Sequence, residues 1–261
     1  GSAVPQIGAG QQSGVQGQGG DNVAVNVANG NLVLQRRDEL LIGRGMDASL
    51  LRTYNSQARF SDDNGDAWWL SGYRRLQNLS GNLNSAGSQI ERVSADGSVQ
   101  RFSFIGNGYR STDGDGAHDT LRYDAGSNSW TYTDGNTQST ESYAAFGSGY
   151  RLVSSSDSNG NRVSFSYNND LLSRVSTANG DAIEFSYTGR NLTSERVIKA
   201  GGGSSTRTLY SYDEYNRLKQ VTVDLSPDDN STADGKVYQT TYRYDGSSNR
   251  LAGIDQTDGS K

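Results

Sequence analysis

One short pattern recurs in the second half of this 261-residue chain: an aromatic residue, a polar residue, tyrosine, a polar turn, then an aliphatic strand with a basic residue. The copies are FSYNNDLLSRV (165–175), FSYTGRNLTSERV (185–197), YSYDEYNRLKQV (210–221) and YRYDGSSNRLAGI (242–254), with a looser fifth, LRYDAGSNSWTYTDGN (121–136). The two rings of each copy lie on one strand face. A single hairpin cannot bury such a face, whereas several hairpins laid side by side can. The pattern therefore predicts an array of stacked hairpins.

Alternation of apolar and polar residues extends this prediction to the rest of the chain, for example in VAVNV (23–27) and VQRFSF (99–104). Such alternation is typical of strands with one buried face, and no long segment has helical spacing of apolar residues. Asp-Gly or Asn-Gly pairs, which tolerate the positive φ angles of type I′ hairpin turns, separate the strands at 96–97, 134–135, 159–160, 179–180, 234–235 and 258–259. The sequence predicts an all-β fold of antiparallel hairpins that form a curved, open sheet.

Composition argues against several classes of binding partner and chemistry. The net charge is −5 and the 24 basic residues are scattered, which argues against nucleic acid as the main partner. The chain has no cysteine, so disulfides, thiolate nucleophiles and cysteine-ligated metals are excluded. No apolar run approaches the roughly 20 residues that a membrane-spanning helix needs.

The first 20 residues differ in composition from the rest of the chain. Residues 1–20 begin with Gly1-Ser2, which we interpret as a cloning scar, and continue as a Gly/Gln-rich stretch typical of a flexible linker. Residues 21–261 are predicted to form one β domain, in which a leading segment (21–120) precedes the repeats (121–261). We expect the chain to be a segment cut from a longer protein.

The repeats resemble the YD-repeat, or Rhs-repeat, family, whose signature is Tyr-Asp, a few residues, and an Asn/Gly-Arg-Leu strand. The copies at 210–221 and 242–254 match it closely, whereas those at 165–175 and 185–197 lack the Asp, the Arg-Leu pair or both. Two upstream segments, VNVANGNLVLQRRDELLIGRGMDASLLRTYNSQ (25–57) and STDGDGAHDTLRYD (111–124), are similar to sequence that precedes the repeats in bacterial members. Together the likeness spans 21–254.

The resemblance implies an architecture rather than a reaction. This family includes the shells of bacterial polymorphic toxins, and is related to toxin-complex C components and teneurin shells. Its repeats form β-ribbons that wind into a hollow shell around a C-terminal effector, in secreted or cell-surface proteins. The implied partners are further repeats and the effector of the same chain. The motif residues carried over as structural are Tyr167, Tyr187, Tyr212, Asp213, Arg217, Tyr244, Asp245 and Arg250.

Catalytic patterns are weak in comparison. His118 is the one histidine, without a G-x-S-x-G nucleophile motif, and is predicted to lie in a polar turn. No pair of acids stands out for glycoside hydrolysis. No DPxGxxxxxN-type self-cleavage motif is present either. We predict a segment that is not an enzyme.

A calcium site is the one cofactor considered. DGDGAHD places Asp113, Asp115 and Asp119 in a Gly-rich loop, and calcium prefers several oxygens from such loops. The EF-hand pattern fails, since His118 stands where that loop needs glycine. The alternative is a connection solvated by its own acids, and the acidic stretches 61–66 and 226–235 are likewise predicted to be exposed loops.

Two functions stay open. Trp69, which alternation places on the face opposite Trp68, is a candidate for stacking on a sugar, as in a carbohydrate- or surface-binding adhesion module. The leading prediction is a non-catalytic structural segment of a large secreted or surface bacterial protein, which scaffolds or encapsulates a C-terminal toxin effector.

Overall fold

A computed structural model of the chain describes residues 11–16, 21–26, 30–43, 45–58, 62–111, 116 and 118–259. Every strand pairing in it is antiparallel, and the helices whose bounds it describes in full are two one-turn 3-10 helices, Ser71–Tyr73 and Pro227–Asp229. The all-β prediction is confirmed. The strands are β1 Gln11–Gln16, β2 Asp21–Asn26, β3 Asn31–Leu41, β4 Ala48–Asn55, β5 Trp68–Leu70, β6 Arg75–Ser80, β7 Gln89–Val93, β8 Val99–Ile105, β9 Gly108–Ser111, β10 Thr120–Asp124, β11 Ser129–Thr133, β12 Thr140–Phe146, β13 Gly149–Ser156, β14 Arg162–Asn168, β15 Leu171–Thr177, β16 Ala182–Thr188, β17 Asn191–Ile198, β18 Ser204–Tyr212, β19 Leu218–Asp224, β20 Val237–Tyr244 and β21 Leu251–Gln256.

These strands form three connected parts. Strands β1 to β5 make a meander that we call the N-terminal sheet. Strands β6 to β13 make a closed barrel, and β14 to β21 continue from β13 as the repeat sheet. The boundary predicted between residues 120 and 121 lies inside barrel strand β10.

The barrel closes because one edge of β13 is shared. Its other edge pairs along its length with β12. On the shared edge, Tyr150 and Arg151 pair with β6, whereas Ser154–Ser156 pair with β14. A Cβ atom at Gly149 would lie 2.5 Å from the Leu76 carbonyl oxygen, so glycine permits the close approach at this seam. The prediction of an open curved sheet is therefore wrong for β6 to β13.

The interior of the barrel is filled by side chains. A barrel of eight strands is just wide enough for this. Each strand contributes one residue that is at most 1% exposed: Leu76, Ile90, Phe102, Tyr109, Leu121, Trp130, Tyr143 and Leu152. The core of the barrel thus contains large apolar and aromatic groups from all eight strands.

A buried ionic cluster accompanies these groups. Glu141 accepts hydrogen bonds from Arg92, with Nη2 2.8 Å from Oε2, and from Arg74 and the Tyr143 hydroxyl. Burial alone would raise the pKa of Glu141, but Arg74 and Arg92 lower it to about 2. The Arg92 guanidinium also lies 3.8 Å from the Tyr132 ring centroid. The charge is therefore paired on two sides, as a buried carboxylate requires.

The turns differ from the type I′ geometry considered from the sequence. Gly97, Gly160 and Gly180 have φ of 80°, 84° and 93°, while the residues before them have negative φ. The N–H of Gly160 bonds to the Asp157 carbonyl, and Asp157 N bonds to the oxygen of residue 161. This is a type I turn followed by one left-handed residue, which lets the loop close with a bulge.

The turn of YSYDEYNRLKQV has the same geometry with asparagine in the left-handed place. Asn216 has φ of 58°, its N–H bonds to the Asp213 carbonyl at 3.0 Å, and Asp213 N bonds to Arg217 O. Asparagine is among the few residues that tolerate this conformation. The Asn of the Asn-Arg-Leu signature therefore allows the backbone of the turn to adopt the left-handed conformation.

Part of the predicted linker is ordered as a strand. Residues 11–16 pair with β2 in register from Gln11–Asn26 to Gln16–Asp21, whereas residues 1–10 and 17–20 lie outside the described part. Strand pairing needs only backbone groups, and β2 offers an edge for it. Low apolar content does not prevent such an addition.

Replacing Asn216 tests the turn geometry. Asn216→Gly and Asn216→Ala remove the same side-chain contacts, but alanine is strained at positive φ. We expect the alanine variant to be less stable than the glycine variant by about 1 kcal/mol in urea unfolding. Glu214→Ala, in the same turn, should change the free energy of unfolding by less than about 0.5 kcal/mol. Equal stability of the two Asn216 variants would contradict the assignment.

Candidate functional site

The motif tyrosines occupy equivalent positions in four hairpins. The pairing register shifts immediately before each tyrosine, which then lies opposite a leucine of the next strand. A shift of this kind leaves one extra residue in the second strand, as in a β-bulge. The pairs are Tyr167–Leu172, Tyr187–Leu192, Tyr212–Leu218 and Tyr244–Leu251.

A further copy was missed in the sequence. In the β12–β13 hairpin the register shifts before Tyr143, which pairs with Leu152 in the same way. Glu141 stands there in place of the first aromatic residue, so the aromatic-x-Tyr signal is absent. By contrast, the looser copy at 121–136 pairs across β10 and β11 without a shift. The last barrel hairpin is therefore the first bulged hairpin of the array.

Tyrosine hydroxyls join successive hairpins. Three of the four motif hydroxyls donate to the carbonyl oxygen of a leucine in the preceding bulged hairpin, at 2.7–2.9 Å. The bonds are Tyr167 to Leu152, Tyr187 to Leu172 and Tyr244 to Leu218. The rings are half-buried against the core, so the hydroxyl reaches backbone while the ring packs.

The N–H groups of the same leucines are bound by residues from the first third of the chain. Four of the five leucines donate to an acceptor located between residues 54 and 74, at 3.0–3.2 Å. The pairs are Leu152 N to Arg74 O, Leu172 N to Tyr73 Oη, Leu218 N to Asp66 Oδ2 and Leu251 N to Tyr54 Oη. We call this row of contacts the junction between the N-terminal sheet and the repeat sheet.

Neighbouring contacts bring the 3-10 turn close to side chains of the repeat sheet at the junction. The single hydroxyl hydrogen of Tyr167 is shared between Leu152 O and Gly72 O, the latter at 2.8 Å, and a Cβ atom at Gly72 would lie 2.4 Å from Leu172 Cδ2. The indole N–H of Trp68 donates to the Tyr244 hydroxyl at 3.0 Å. Glycine at position 72 is thus what lets the 3-10 turn approach the sheet.

A buried ion pair lies farther along the junction. Arg52 binds Asp38 through two bonds, Nε–Oδ2 at 2.7 Å and Nη2–Oδ1 at 3.0 Å, and its guanidinium is 4.7 Å from the Trp68 ring centroid. The Tyr210 hydroxyl lies 2.9 Å from Asp38 Oδ2 and 2.8 Å from Glu195 Oε1. No sequence motif connected these residues, because they lie up to 172 positions apart.

The acidic stretch at 61–66, predicted to be an exposed loop, is largely buried where it is described. Asp62 and Asp66 are 8% and 6% exposed. Asp66 accepts from Trp68 N at 3.1 Å as well as from Leu218, and Leu70 N donates to Asp62 at 3.3 Å. The prediction was wrong because these carboxylates bind backbone N–H groups of the fold, which acidic composition alone does not reveal.

Asp213 and Arg217 form a pair that also contacts the next hairpin. Asp213 Oδ1 accepts from the N–H groups of Tyr215 and Arg217, and Oδ2 accepts from Arg217 Nε at 2.7 Å. Arg217 then donates to Gly246 O and Ser248 O, at 2.7 and 2.5 Å. The Tyr-Asp and Asn-Arg parts of the signature thus tie one turn to the following one.

The corresponding residues of the last copy have a different environment. Asp245 and Arg250 are both exposed. Their turn is closed by backbone bonds, from Asp245 N to Arg250 O and from Ser248 N to Asp245 O. The Tyr54 hydroxyl donates to Asn249 O at 2.8 Å and so fixes this turn to the N-terminal sheet.

The predicted calcium residues are only partly described. Asp113 and Asp115 lie outside the described residues. Asp119 is buried, and its carboxylate accepts bonds from Gln100 Nε2, the Tyr132 hydroxyl and Gly135 N, at 2.8–3.0 Å. Within the part of the chain that is described, no three acids or histidines are arranged to hold a metal ion, and His118 is exposed.

Trp69, the candidate for sugar stacking, is in the core. Trp68, Trp69 and Trp130 are 5%, 0% and 0% exposed, and the Arg75 guanidinium lies 5.1 Å from the Trp69 ring centroid. A sugar cannot reach a ring face that is fully covered. The structure therefore gives Trp69 a packing position.

Comparison with known proteins adds one finding. A family model described as a domain of unknown function (DUF6531) matches residues 22–102, which cover the N-terminal sheet from β2 onward and the barrel into β8. No curated protein matches the chain. None of the helices in the described residues is long and apolar enough to cross a membrane.

Removing one junction hydroxyl tests the importance of these contacts. Tyr73→Phe would leave the Leu172 N–H without its acceptor, and the Tyr187 hydroxyl would lose its 3.1 Å neighbour. We expect the free energy of unfolding to fall by about 1–3 kcal/mol in urea. The control is Tyr215→Phe, at a tyrosine that is 53% exposed, with an expected change below about 0.5 kcal/mol. Equal effects would show that the junction bond contributes nothing.

Proposed function

We propose that this chain is a non-catalytic structural segment of a secreted or cell-surface bacterial protein of the Rhs/YD-repeat type. In this role it begins a wall of β-hairpins that scaffolds or encapsulates a C-terminal toxin effector. The N-terminal sheet closes over the first bulged hairpins, and the barrel anchors the beginning of the wall.

One observation carries the proposal: five successive hairpins share the same bulge and the same Tyr–Leu pair, and in four of them the leucine N–H binds one covering segment. Repetition at the level of hydrogen bonds is what a wall built from equivalent units requires. The groups that could carry chemistry are used in the same framework. Asp66 and Tyr73 bind leucine N–H groups, and Asp213 closes a turn.

The position of the matched family model fits this role. It covers the N-terminal sheet from β2 and the first barrel strands, but ends before the bulged hairpins begin at β12. A unit that precedes a repeat array and covers its first members would have this extent. The Tyr-Asp and Asn-Arg-Leu residues described above connect the rest of the chain to the YD-repeat pattern.

Protease protection in the longest natural form of the protein tests the proposal. We expect its C-terminal region to resist a broad-specificity protease while the wall is intact, and electron microscopy to show a closed hollow particle. Tyr73→Phe should speed cleavage of that region, whereas Tyr215→Phe should not. A C-terminal region cleaved as fast as an exposed linker in the unmodified protein would contradict encapsulation, and specific hits on a glycan array would favour the adhesion alternative.

A further inference from the structure

The junction buries more carboxyl groups than cations to pair with them. Asp62, Asp66 and Glu195 are 8%, 6% and 0% exposed, and the Asp38 side chain is fully buried. Arg52 neutralises Asp38. A buried carboxylate without a cation or several donors is strongly unfavourable, so such a group binds a proton instead.

A proton count at Tyr210 shows where one of these protons is. The hydroxyl has one hydrogen, yet carboxyl oxygens of both Asp38 and Glu195 lie within 2.9 Å of its oxygen. Asp38 is held as a carboxylate by Arg52, so Tyr210 donates to Asp38 and must accept from Glu195. The second oxygen of Glu195, Oε2, is buried and receives no hydrogen bond from the described residues. Glu195 therefore carries a proton in the closed junction.

The acidic loop at residues 62–66 contains a second buried carboxyl group whose oxygen lacks a hydrogen-bond donor among the described residues. Asp62 Oδ1 is buried without a donor among the described residues, and the side chain beside it is another carboxyl, Asp63. The Arg190 guanidinium at this loop donates to the backbone oxygens of Asp62 and Asp63, and the Arg75 guanidinium, which interacts with the charge of Asp62, faces the Trp69 ring. Asp62 is buried and Asp63 is partly exposed, and two adjacent carboxyls in this arrangement share a proton.

Titratable and charged groups face these acids from every neighbouring element. Around Glu195 they are Asp38 and Glu39 on β3, Arg52 on β4, Tyr187 on β16 and Tyr210 on β18. Around the loop they are Tyr73, Arg75, Tyr187, Arg190, Tyr212 and Tyr244. The tyrosines are neutral below about pH 10, so they do not offset the negative charge.

We propose that bound protons seal the junction, so that the N-terminal sheet is held most tightly on the repeat sheet in acid and separates more readily as the pH rises through neutrality. Opening exposes Glu195 and the Asp62–Asp63 pair to water, where each loses its proton to solvent. The device belongs to the contact between the two sheets and does not depend on the scaffold role.

The direction follows from linkage. Burial first, and neighbouring acids second, raise the pKa of Glu195 and of Asp62 well above the ordinary range, and raise the pKa of Asp66 to about 7. The closed state therefore binds more protons than the open state from about pH 4 upward. The stability that these groups contribute is fully present below about pH 4 and is lost as the pH rises through the raised values.

The barrel responds in the opposite direction. The pKa of Glu141 is lowered to about 2, so its contribution is present above about pH 4.5 and is lost only as the pH falls below that value. Between pH 5 and pH 7 the barrel should be insensitive. It thus serves as an internal reference for the junction.

Hydrogen exchange measured by mass spectrometry at pH 5, 6 and 7 tests the proposal on the intact chain. After correction for the intrinsic rate, protection of residues 66–73 and 208–218 should fall by about tenfold per pH unit for each proton released. Protection of barrel residues 89–93 should stay constant. Junction protection that is flat or rises over this range would overturn the proposal.

A variant that imitates the protonated acid completes the test. Glu195→Gln keeps a donor toward Tyr210 and cannot ionise, so its junction should lose about a hundredfold less protection than the unmodified protein between pH 5 and pH 7, which is tenfold for each of the two pH units. Glu184→Gln on neighbouring strand β16 removes a half-exposed carboxylate paired with Arg174 and should leave the pH dependence unchanged. The same slope in both variants would overturn the role of Glu195. Encapsulation is tested separately, since this experiment reports only on contact between the sheets.

Discussion

The backbone N–H of one leucine in each bulged hairpin is the group on which this arrangement depends. A bulge interrupts the ladder, and an amide left without an acceptor in a buried place costs about 1–3 kcal/mol. Four of these amides instead find acceptors in residues 54–74, namely a tyrosine hydroxyl twice, a carboxylate and a backbone carbonyl. The repeat sheet and the N-terminal sheet therefore complete each other, and neither has all its polar groups paired alone.

This dependence explains why polar groups lie among the apolar side chains in the contact between the sheets. Two sheets that pack face to face ordinarily bury apolar side chains. Here the covering segment must supply acceptors along a row of amides, so Tyr54, Asp66 and Tyr73 occupy positions that a purely apolar interface would give to aliphatic residues. Once carboxyls are buried there, cations or protons must balance them. Arg52 supplies one cation, and the remaining acids supply the pH sensitivity inferred above.

Much of this fold could be predicted from local sequence. Alternation and Gly or Asn at turns predict the hairpins, since both signals depend on a few neighbouring residues. Closure of the barrel could not be predicted, because it depends on β13 sharing one edge between β6 and β14, which are far apart in the chain. The β12–β13 copy escaped detection because Glu141 replaces its first aromatic residue. The register shift before Tyr143 is visible only in the pairing.

The candidate site also contains some residues that could be identified from the sequence and others that only the structure reveals. The motif tyrosines and the Asp213–Arg217 pair were identified from the repeat, whereas their partners Asp66, Tyr73 and Tyr54 carry no motif. Acidic residues in a loop suggest exposure by composition, and only the three-dimensional position of the Leu218 N–H makes burial of Asp66 favourable. Hydrogen-bond partners that lie more than 90 residues apart in the chain are brought together by tertiary structure, so a local sequence pattern cannot identify them.

The most direct measurement is native-state exchange of the leucine amides, resolved one by one by NMR at pH 5. The amides of Leu172, Leu218 and Leu251 should be protected and should exchange with one common free energy of opening, because they become exposed only when the N-terminal sheet separates. Exchange of these amides at the rate of the exposed turn around Glu214, or with unrelated opening free energies, would contradict the account.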